Sequence, residues 1–216
     1  MKGFESKKGY IFDLDGTLLE SMGLWEDVYR GTFAFYGKTV PDGYVGEVNH
    51  LGCADGAEHT HAKYGLGRSA SEIKGLWKKL SSEAYDFRVE LKPYAFRLLE
   101  KLCKEGKLLG VATALDRGSF EMCLKRLGVY GFFRSFTSVG ETGKDKSSPD
   151  VYLKAARKLG LKPEECVVVE DGEKGAGAAK DGGFYVVGVY DAASADSREA
   201  MMRICDMYVE DLSVLL

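Results

Sequence analysis

No window of the 216-residue chain approaches eighteen uninterrupted apolar residues, which excludes a membrane-spanning helix. The first nine residues carry Lys2, Glu5, Lys7 and Lys8 and no apolar stretch. No secretory leader is therefore expected, and the chain reads as soluble and cytoplasmic. Positive charge is not in excess: 30 Lys plus Arg stand against 33 Asp plus Glu, a net charge of −3. Without a basic field, neither nucleic acid nor an anionic membrane is an expected partner. The five cysteines (Cys53, Cys103, Cys123, Cys166, Cys205) are odd in number and form no C-x-x-C. That argues against a disulfide framework or zinc knot and for small packing residues in a reducing compartment. Prolines number only 4, so rigid linkers are few, whereas glycines number 27. Usage of about 7% would give roughly 15, so many tight turns are implied. With 45% apolar and 29% charged residues the chain can bury one large or two small cores, which excludes a disordered chain.

Short apolar runs rich in β-branched and aromatic residues occur at Tyr10–Leu14, Leu108–Thr113, Phe136–Val139, Cys166–Val169, Phe184–Val189 and Met207–Val209. Each is too short for a helix and is read as a strand. Helical patterns with end signals lie between them: Ser148-Pro149-Asp150 opens Val151–Leu159 and Gly160 closes it, and Ser119–Leu127 stops at Gly128. Continuous apolar strands alternating with helices predict a doubly wound α/β core, Rossmann-like, with a mostly parallel sheet buried on both faces. Residues 21–91 break this rhythm. Trp25, Val28, Tyr29, Phe33 and Tyr36 recur at helical spacing, and Ser69-Ala70-Ser71-Glu72 is a capping-box pattern before Ile73, Leu76, Trp77 and Leu80. The expected organisation is a core of residues 1–20 and 92–216 with an all-helical domain, 21–91, inserted after the first strand.

In this architecture ligands bind beyond the carboxyl ends of the strands, so polar residues that end apolar runs carry the chemistry. Tyr10-Ile11-Phe12 ends in Asp13-Leu14-Asp15-Gly16-Thr17, Val111-Ala112 ends in Thr113, Lys144 to Asp150 follow the third strand, and Val167-Val168-Val169 ends in Glu170-Asp171-Gly172. Four carboxylates at one sheet edge repel by roughly 4 kcal/mol per pair at about 4 Å and an effective dielectric near 20. A hard divalent ion with oxygen ligands, in practice Mg²⁺, together with Lys146 would balance them. That balance suits phosphoryl transfer, in which one carboxylate attacks phosphorus and a neighbouring carboxyl serves the leaving group and then water.

Asp13-x-Asp15-Gly16-Thr17, Thr113 after its strand, Lys146-x-x-Pro149-Asp150 and Glu170-Asp171 together resemble the haloacid dehalogenase superfamily, in its phosphatase branch. Within that branch the chain is similar to the β-phosphoglucomutase-like group, whose small helical cap the insert resembles. The resemblance runs from about Tyr10 to Leu216. It implies Asp13 as nucleophile and metal ligand and Asp15 as general acid and base. It implies that Mg²⁺ is held by Asp13, the carbonyl of Asp15, Asp171 and Glu170, the last directly or through water. Phosphoryl oxygens would be held by Thr113, Lys146 and N–H groups of the Asp13–Gly16 turn, Leu14 and Asp15 included, and of Ala114. Lys146 is preferred to Lys144 because it stands three residues before Pro149.

The expected activity is hydrolysis of a small phosphorylated metabolite, a sugar phosphate by default, by a monomer. Carbon–halogen cleavage is disfavoured, since it needs no second acid such as Asp15. The mutases of the group carry a cap histidine ten residues after the second acid, where this chain has Trp25, and a cap arginine where it has Asp55. Mutase activity is thus the alternative reading. A receiver-like phospho-signalling module is a more remote one, because such modules need no helical insert. Trp25, His50 and Asp55 are the candidate cap contacts to substrate. His59 and His61 are not expected to bind metal, being about 200° apart on a helix without a third ligand. Asp116 and Arg117 read equally as substrate contacts or a solvated pair. The P-loop echo at Gly140–Asp145 and the dinucleotide echo at Gly175–Lys180 each lack a required residue.

Overall fold

A computed structural model describes residues 2–48, 51 and 53–216. It divides into two compact units, Met1–Glu20 with Glu90–Leu216, and Ser21–Val89. The strands are β1 (Gly9–Phe12), β2 (Leu19–Glu20), β3 (Glu90–Leu91), β4 (Leu108–Thr113), β5 (Phe133–Ser138), β6 (Cys166–Glu170), β7 (Tyr185–Val189) and β8 (Met207–Val209). The helices are α1 (Lys2–Glu5), α2 (Met22–Phe35), α3 (Tyr44–Val48), α4 (Cys53–Tyr64), α5 (Ala70–Phe87), α6 (Ala95–Lys104), α7 (Arg117–Arg126), α8 (Asp150–Leu159), α9 (Glu173–Asp181) and α10 (Arg198–Ile204). None of the described helices is long and apolar enough to cross a membrane.

In the first unit six strands form one parallel sheet in the order β5-β4-β1-β6-β7-β8. The chain runs outward from β1 to one edge, then returns to β6 and runs to the other. The order therefore reverses between β1 and β6, which opens a crevice beyond their carboxyl ends. Tyr10, Ile11, Phe12, Val167, Val168 and Val169 are wholly buried, as expected for strands covered on both faces. Helix α8 shows why the helices stay on the sheet. Its buried stripe of Val151, Tyr152, Ala155, Ala156 and Leu159 packs in one cluster with Ile11, Ala112, Cys166 and Val168. Each fully buried large aliphatic side chain contributes about 1.5–3 kcal/mol. Gly160 ends the helix in the left-handed conformation at φ 73°.

Two strand limits differ from expectation by more than one residue. The run expected at Phe136–Val139 is β5, which starts at Phe133. At this sheet edge Phe133, Ser135 and Thr137 face inward and alternate with less buried residues, so a search for a continuous apolar run finds only the strand's end. β1 stops at Phe12, two residues short of expectation, because Asp13 and Leu14 enter the turn that follows. At the second junction between the units, Glu90 and Leu91 pair antiparallel with Glu20 and Leu19, so they belong to the first unit and not to the insert.

The described residues of the second unit form helices α2 to α5 and no strand, and its core is aromatic. Tyr44 meets Tyr29 and Phe33 edge-on with ring centroids 5.4 and 4.8 Å apart, and Trp77 lies 5.1 Å from Tyr29. The capping box forms at α5: the Glu72 N–H donates to Ser69 Oγ at 3.3 Å and the Ser69 N–H to Glu72 Oε2 at 2.9 Å. Glu47 on α3 gathers α4: Lys63 donates to it at 2.7 Å, Tyr64 at 2.7 Å, and His59 Nε2 lies 2.9 Å away. The hydrogen bonds from Lys63, His59 and Tyr64 lower the Glu47 carboxyl to about 2. His61 turns instead to the carbonyl of Arg68 at 2.7 Å, so the two histidines do not converge.

Two stability predictions follow from these contacts. A carboxyl held at about 2 against an ordinary 4.5 stabilises the fold above that ordinary value and loses the effect as pH falls toward 2. Glu47→Gln should therefore lower the melting temperature at pH 7, and the two melting curves should converge on acidification. Tyr94 occupies the third position of a Lys92–Ala95 turn at φ 68° and ψ −6°, with Pro93 before it and the Ala95 N–H on the Lys92 carbonyl at 3.1 Å. Left-handed backbone costs a non-glycine residue about 1–2 kcal/mol. Glycine forfeits roughly 0.5–1 kcal/mol of that gain in chain entropy. Tyr94→Gly should be neutral or more stable by up to about 1.5 kcal/mol in denaturant titration.

Candidate active site

Four chain segments of the first unit meet at the crevice. Asp13 extends the ladder of β1, its N–H donating to the Val169 carbonyl at 3.0 Å. The chain then turns tightly around buried Leu14, whose carbonyl accepts N–H groups of Thr17, Leu18 and Leu19 at 3.2, 2.9 and 2.8 Å. Gly16 sits at φ 75°, and a Cβ there would stand 2.4 Å from Asp171 Oδ2, so only glycine lets the turn lie against that carboxylate. From β4, Thr113 is fully buried and its Oγ1 accepts the Leu115 N–H at 3.1 Å, which keeps the hydroxyl proton for donation. From β6 come Glu170 and Asp171, both buried.

Ligand oxygens of Asp13, Glu170 and Asp171 all lie within 4.8 Å of one another. Lys146, whose side chain is 17% exposed, places Nζ 2.6 Å from Asp13 Oδ1 and also pairs with Glu170 Oε1. Tyr152 donates to the same Glu170 oxygen at 2.7 Å, and Glu170 Oε2 accepts the N–H groups of Asp171 and Gly172 at 3.1 and 3.2 Å. Thr17 donates to Asp171 Oδ1 at 3.3 Å. Gly175 on α9 makes room for this network: a Cβ there would meet Glu170 Oε1 at 2.6 Å and the Tyr152 hydroxyl at 2.7 Å.

Crowding moves the proton equilibria of Asp13, Asp171, Lys146 and Tyr152. Burial pushes Asp13 well above the usual carboxylate range; Lys146 opposes the rise, while Glu170, Asp171 and Asp15 reinforce it. Burial, then Glu170, lifts Asp171 to about 7. Burial disfavours the Lys146 ammonium, but Asp13 and Glu170 outweigh it and hold the group above its ordinary value. Burial and the nearby Glu170 raise Tyr152. Three carboxylates against one ammonium leave two formal negative charges when all are ionised. A hard divalent cation fits that donor set in charge and in ligand type.

The other expected site residues fall as follows. Asp15 lies in the turn, half-buried, its backbone bridged to Leu19, and its carboxylate is not a member of the three-acid cluster. The N–H groups of Asp13 and Gly16 are used within the fold, the latter on the Leu19 carbonyl at 3.1 Å. Leu14 is buried in the turn and Ala114, beyond β4, is exposed. Lys144 does not reach the cluster; it is exposed and pairs with Asp150 at 3.1 Å. Arg117 pairs with Glu121 at 2.9 Å on the surface of α7. In the helical unit Trp25 is half-buried against Tyr29 and Trp77, at 6.0 and 6.4 Å, and Asp55 is exposed on α4. His50 lies outside the described residues. Sequence reading passed over Tyr152 and the Thr17 hydroxyl. A tyrosine inside an otherwise aliphatic helix stripe is a usable signal for the first, since a buried hydroxyl needs a partner. It also passed over a buried ion pair, Lys92 with Asp191, described below.

Residues 7–183 match the sequence model of the family described as haloacid dehalogenase-like hydrolase. The chain is 30% identical over 186 residues to hexitol phosphatase A of Escherichia coli, across 84% of this chain and 82% of that one. It is 27% identical over 195 residues to β-phosphoglucomutase of Bacillus subtilis, across 84% and 83%. In fold it is similar to the crystal structure of CbbY from Rhodobacter sphaeroides in complex with phosphate, with a TM-score of 0.81 at 21% identity, across 97% and 96%. A buried acid cluster and its lysine at the switch point of a parallel sheet, inside a match that spans most of the chain, place the protein among enzymes: it belongs to the haloacid dehalogenase-like hydrolases.

Proposed function

We propose that the chain is a Mg²⁺-dependent phosphatase that hydrolyses a small phosphorylated metabolite, a sugar phosphate by preference, through a phosphoryl group carried on Asp13. The carrying observation is the buried Asp13–Glu170–Asp171 cluster with Lys146 across it at the carboxyl ends of β1 and β6. Asp13 supplies the attacking carboxylate oxygen. As its bond to phosphorus forms, the ester P–O bond breaks and the departing alkoxide takes the proton of Asp15. Asp15 then removes a proton from water, which attacks phosphorus and releases phosphate and the Asp13 carboxylate. Lys146 and Thr113 hold the non-bridging phosphoryl oxygens, Lys146 turning to them from the carboxylates it otherwise pairs with. Bound by Asp13, Asp171, the Asp15 carbonyl and Glu170, directly or through water, Mg²⁺ would neutralise charge on the acids and on the transferring group. Hexitol phosphatase A supports the phosphatase reading and the sugar-phosphate class. β-Phosphoglucomutase supports a mutase as the second reading. Trp25 and Asp55, where that group carries a histidine and an arginine, favour water as the acceptor.

The test is release of inorganic phosphate, with Mg²⁺, from p-nitrophenyl phosphate and from sugar, polyol and nucleotide phosphates. Turnover should exceed many equivalents per chain; one stable phosphorylation per chain would instead support the signalling alternative. Asp13→Asn should abolish turnover while leaving the melting temperature equal or higher, because a neutral amide is cheaper to bury. Asp15→Asn should cost about 10²–10⁴-fold on alkyl phosphates, and less on p-nitrophenyl phosphate, whose leaving group needs little protonation.

Mg²⁺ should also raise the melting temperature in a pH-dependent way. A carboxyl lifted to about 7 in the fold destabilises the metal-free protein increasingly as pH climbs from the ordinary 3.8 through 7. The Mg²⁺-induced increase, read by differential scanning fluorimetry, should therefore be larger at pH 8 than at pH 5 and vanish with chelator.

A further inference from the structure

Lys92 and Asp191 form a second buried ion pair that the proposed chemistry does not use. Their side chains are 9% and 5% exposed, and Lys92 Nζ lies 2.6 Å from Asp191 Oδ2 and 3.1 Å from the Tyr190 carbonyl. The other Asp191 oxygen accepts the Ala193 N–H at 2.8 Å. Burying two charges costs desolvation that apolar packing would avoid, so such a pair is weak evidence for a purely stabilising role. Its position is more informative. Lys92 directly follows β3, and its own N–H donates to the Leu18 carbonyl at 2.8 Å. Leu91 pairs with Leu19, and Leu18 and Leu19 both close the turn on Leu14. The same turn carries Thr17, whose hydroxyl donates to Asp171. Asp191 follows β7, the strand paired with β6 where Gly188 stands beside Glu170.

We propose that Lys92 and Asp191 are positioning residues: their ion pair pins β3 to the segment after β7, and β3, through Leu18 and Leu19, holds the Asp13–Leu19 turn so that Thr17 keeps the Asp171 carboxylate aimed into the acid cluster. This rests on the reading of that cluster as a Mg²⁺ site. The pair replaces a free loop end with a fixed one, on the side of the turn opposite its attachment to β1. Thr17 bonds the proposed metal ligand Asp171 directly, and loss of such a partner is worth about 10–100-fold in metal affinity or activity.

The experiment is isothermal titration of Mg²⁺ into the intact, substrate-free chain, with kcat and KM measured alongside. Lys92→Met should weaken Mg²⁺ binding about tenfold. Removing a cation near the acids would by Coulomb attraction alone strengthen it, so the direction separates positioning from simple charge. The double variant Lys92→Met with Asp191→Asn keeps the oxygen that accepts from Ala193 and leaves no unpaired charge. It should melt close to the parent yet still bind Mg²⁺ about tenfold more weakly and lower kcat more than it raises KM. Parental or tighter Mg²⁺ binding in the double variant would overturn the proposal, and that variant decides if Lys92→Met alone does not fold. If the parent itself takes up no Mg²⁺, the metal-site reading falls, and this proposal with it.

Discussion

Three buried carboxylates share one lysine, and most of what surrounds them follows from that imbalance. Lys146 reaches Asp13 and Glu170 together, yet it cannot serve Asp171 as well. The remaining lone pairs are met by groups that carry no full charge: Tyr152, the Thr17 hydroxyl and the N–H groups of Asp171 and Gly172. Dipoles of this kind steady a carboxylate without cancelling its charge, so the cluster keeps an appetite for a cation while remaining ordered. Two glycines, Gly16 and Gly175, exist at these positions because the network leaves no room for a Cβ.

The sheet explains why so much charge can gather in one place. Parallel strands covered on both faces put no charge along their length, and the charged residues that follow β1 and end β6 stand at the carboxyl end. The reversal of strand order between β1 and β6 keeps crossover connections from covering that end. Stability and chemistry are therefore separated along each strand. Ile11 and Val168 hold the layers together, and Asp13 and Glu170, two residues further on, carry the reactive edge.

Both units bury aromatic rings. The first sets Tyr10, Phe12, Phe120 and Tyr152 among aliphatic side chains, and the second gathers rings around Tyr44 and Trp77, secured by the polar knot at Glu47. Large, stiff rings let four helices bury a core within about seventy residues, a size at which aliphatic packing alone is marginal.

Much of this was legible from local pattern. Period and run length marked the central strands, since Val167-Val168-Val169 can only sit in a doubly covered position, and Asp13, Asp15, Thr113, Lys146, Glu170 and Asp171 stood out as polar ends of such runs. The edge strand β5 was less legible because a half-exposed strand hides serine and threonine in its inward face. Pairing across the chain was legible only where the family resemblance carried it, as in the choice of Lys146 over Lys144. That Tyr152 answers Glu170 and that Lys92 meets Asp191 ninety-nine residues away depend on how separate segments come into register. Sequence by itself determined the strand-and-helix order and the residue types at the sheet's reactive end, because both are written in local periodicity. Tertiary structure alone decided which charges face one another, because Coulomb energy and hydrogen bonds depend on distances that only folding sets.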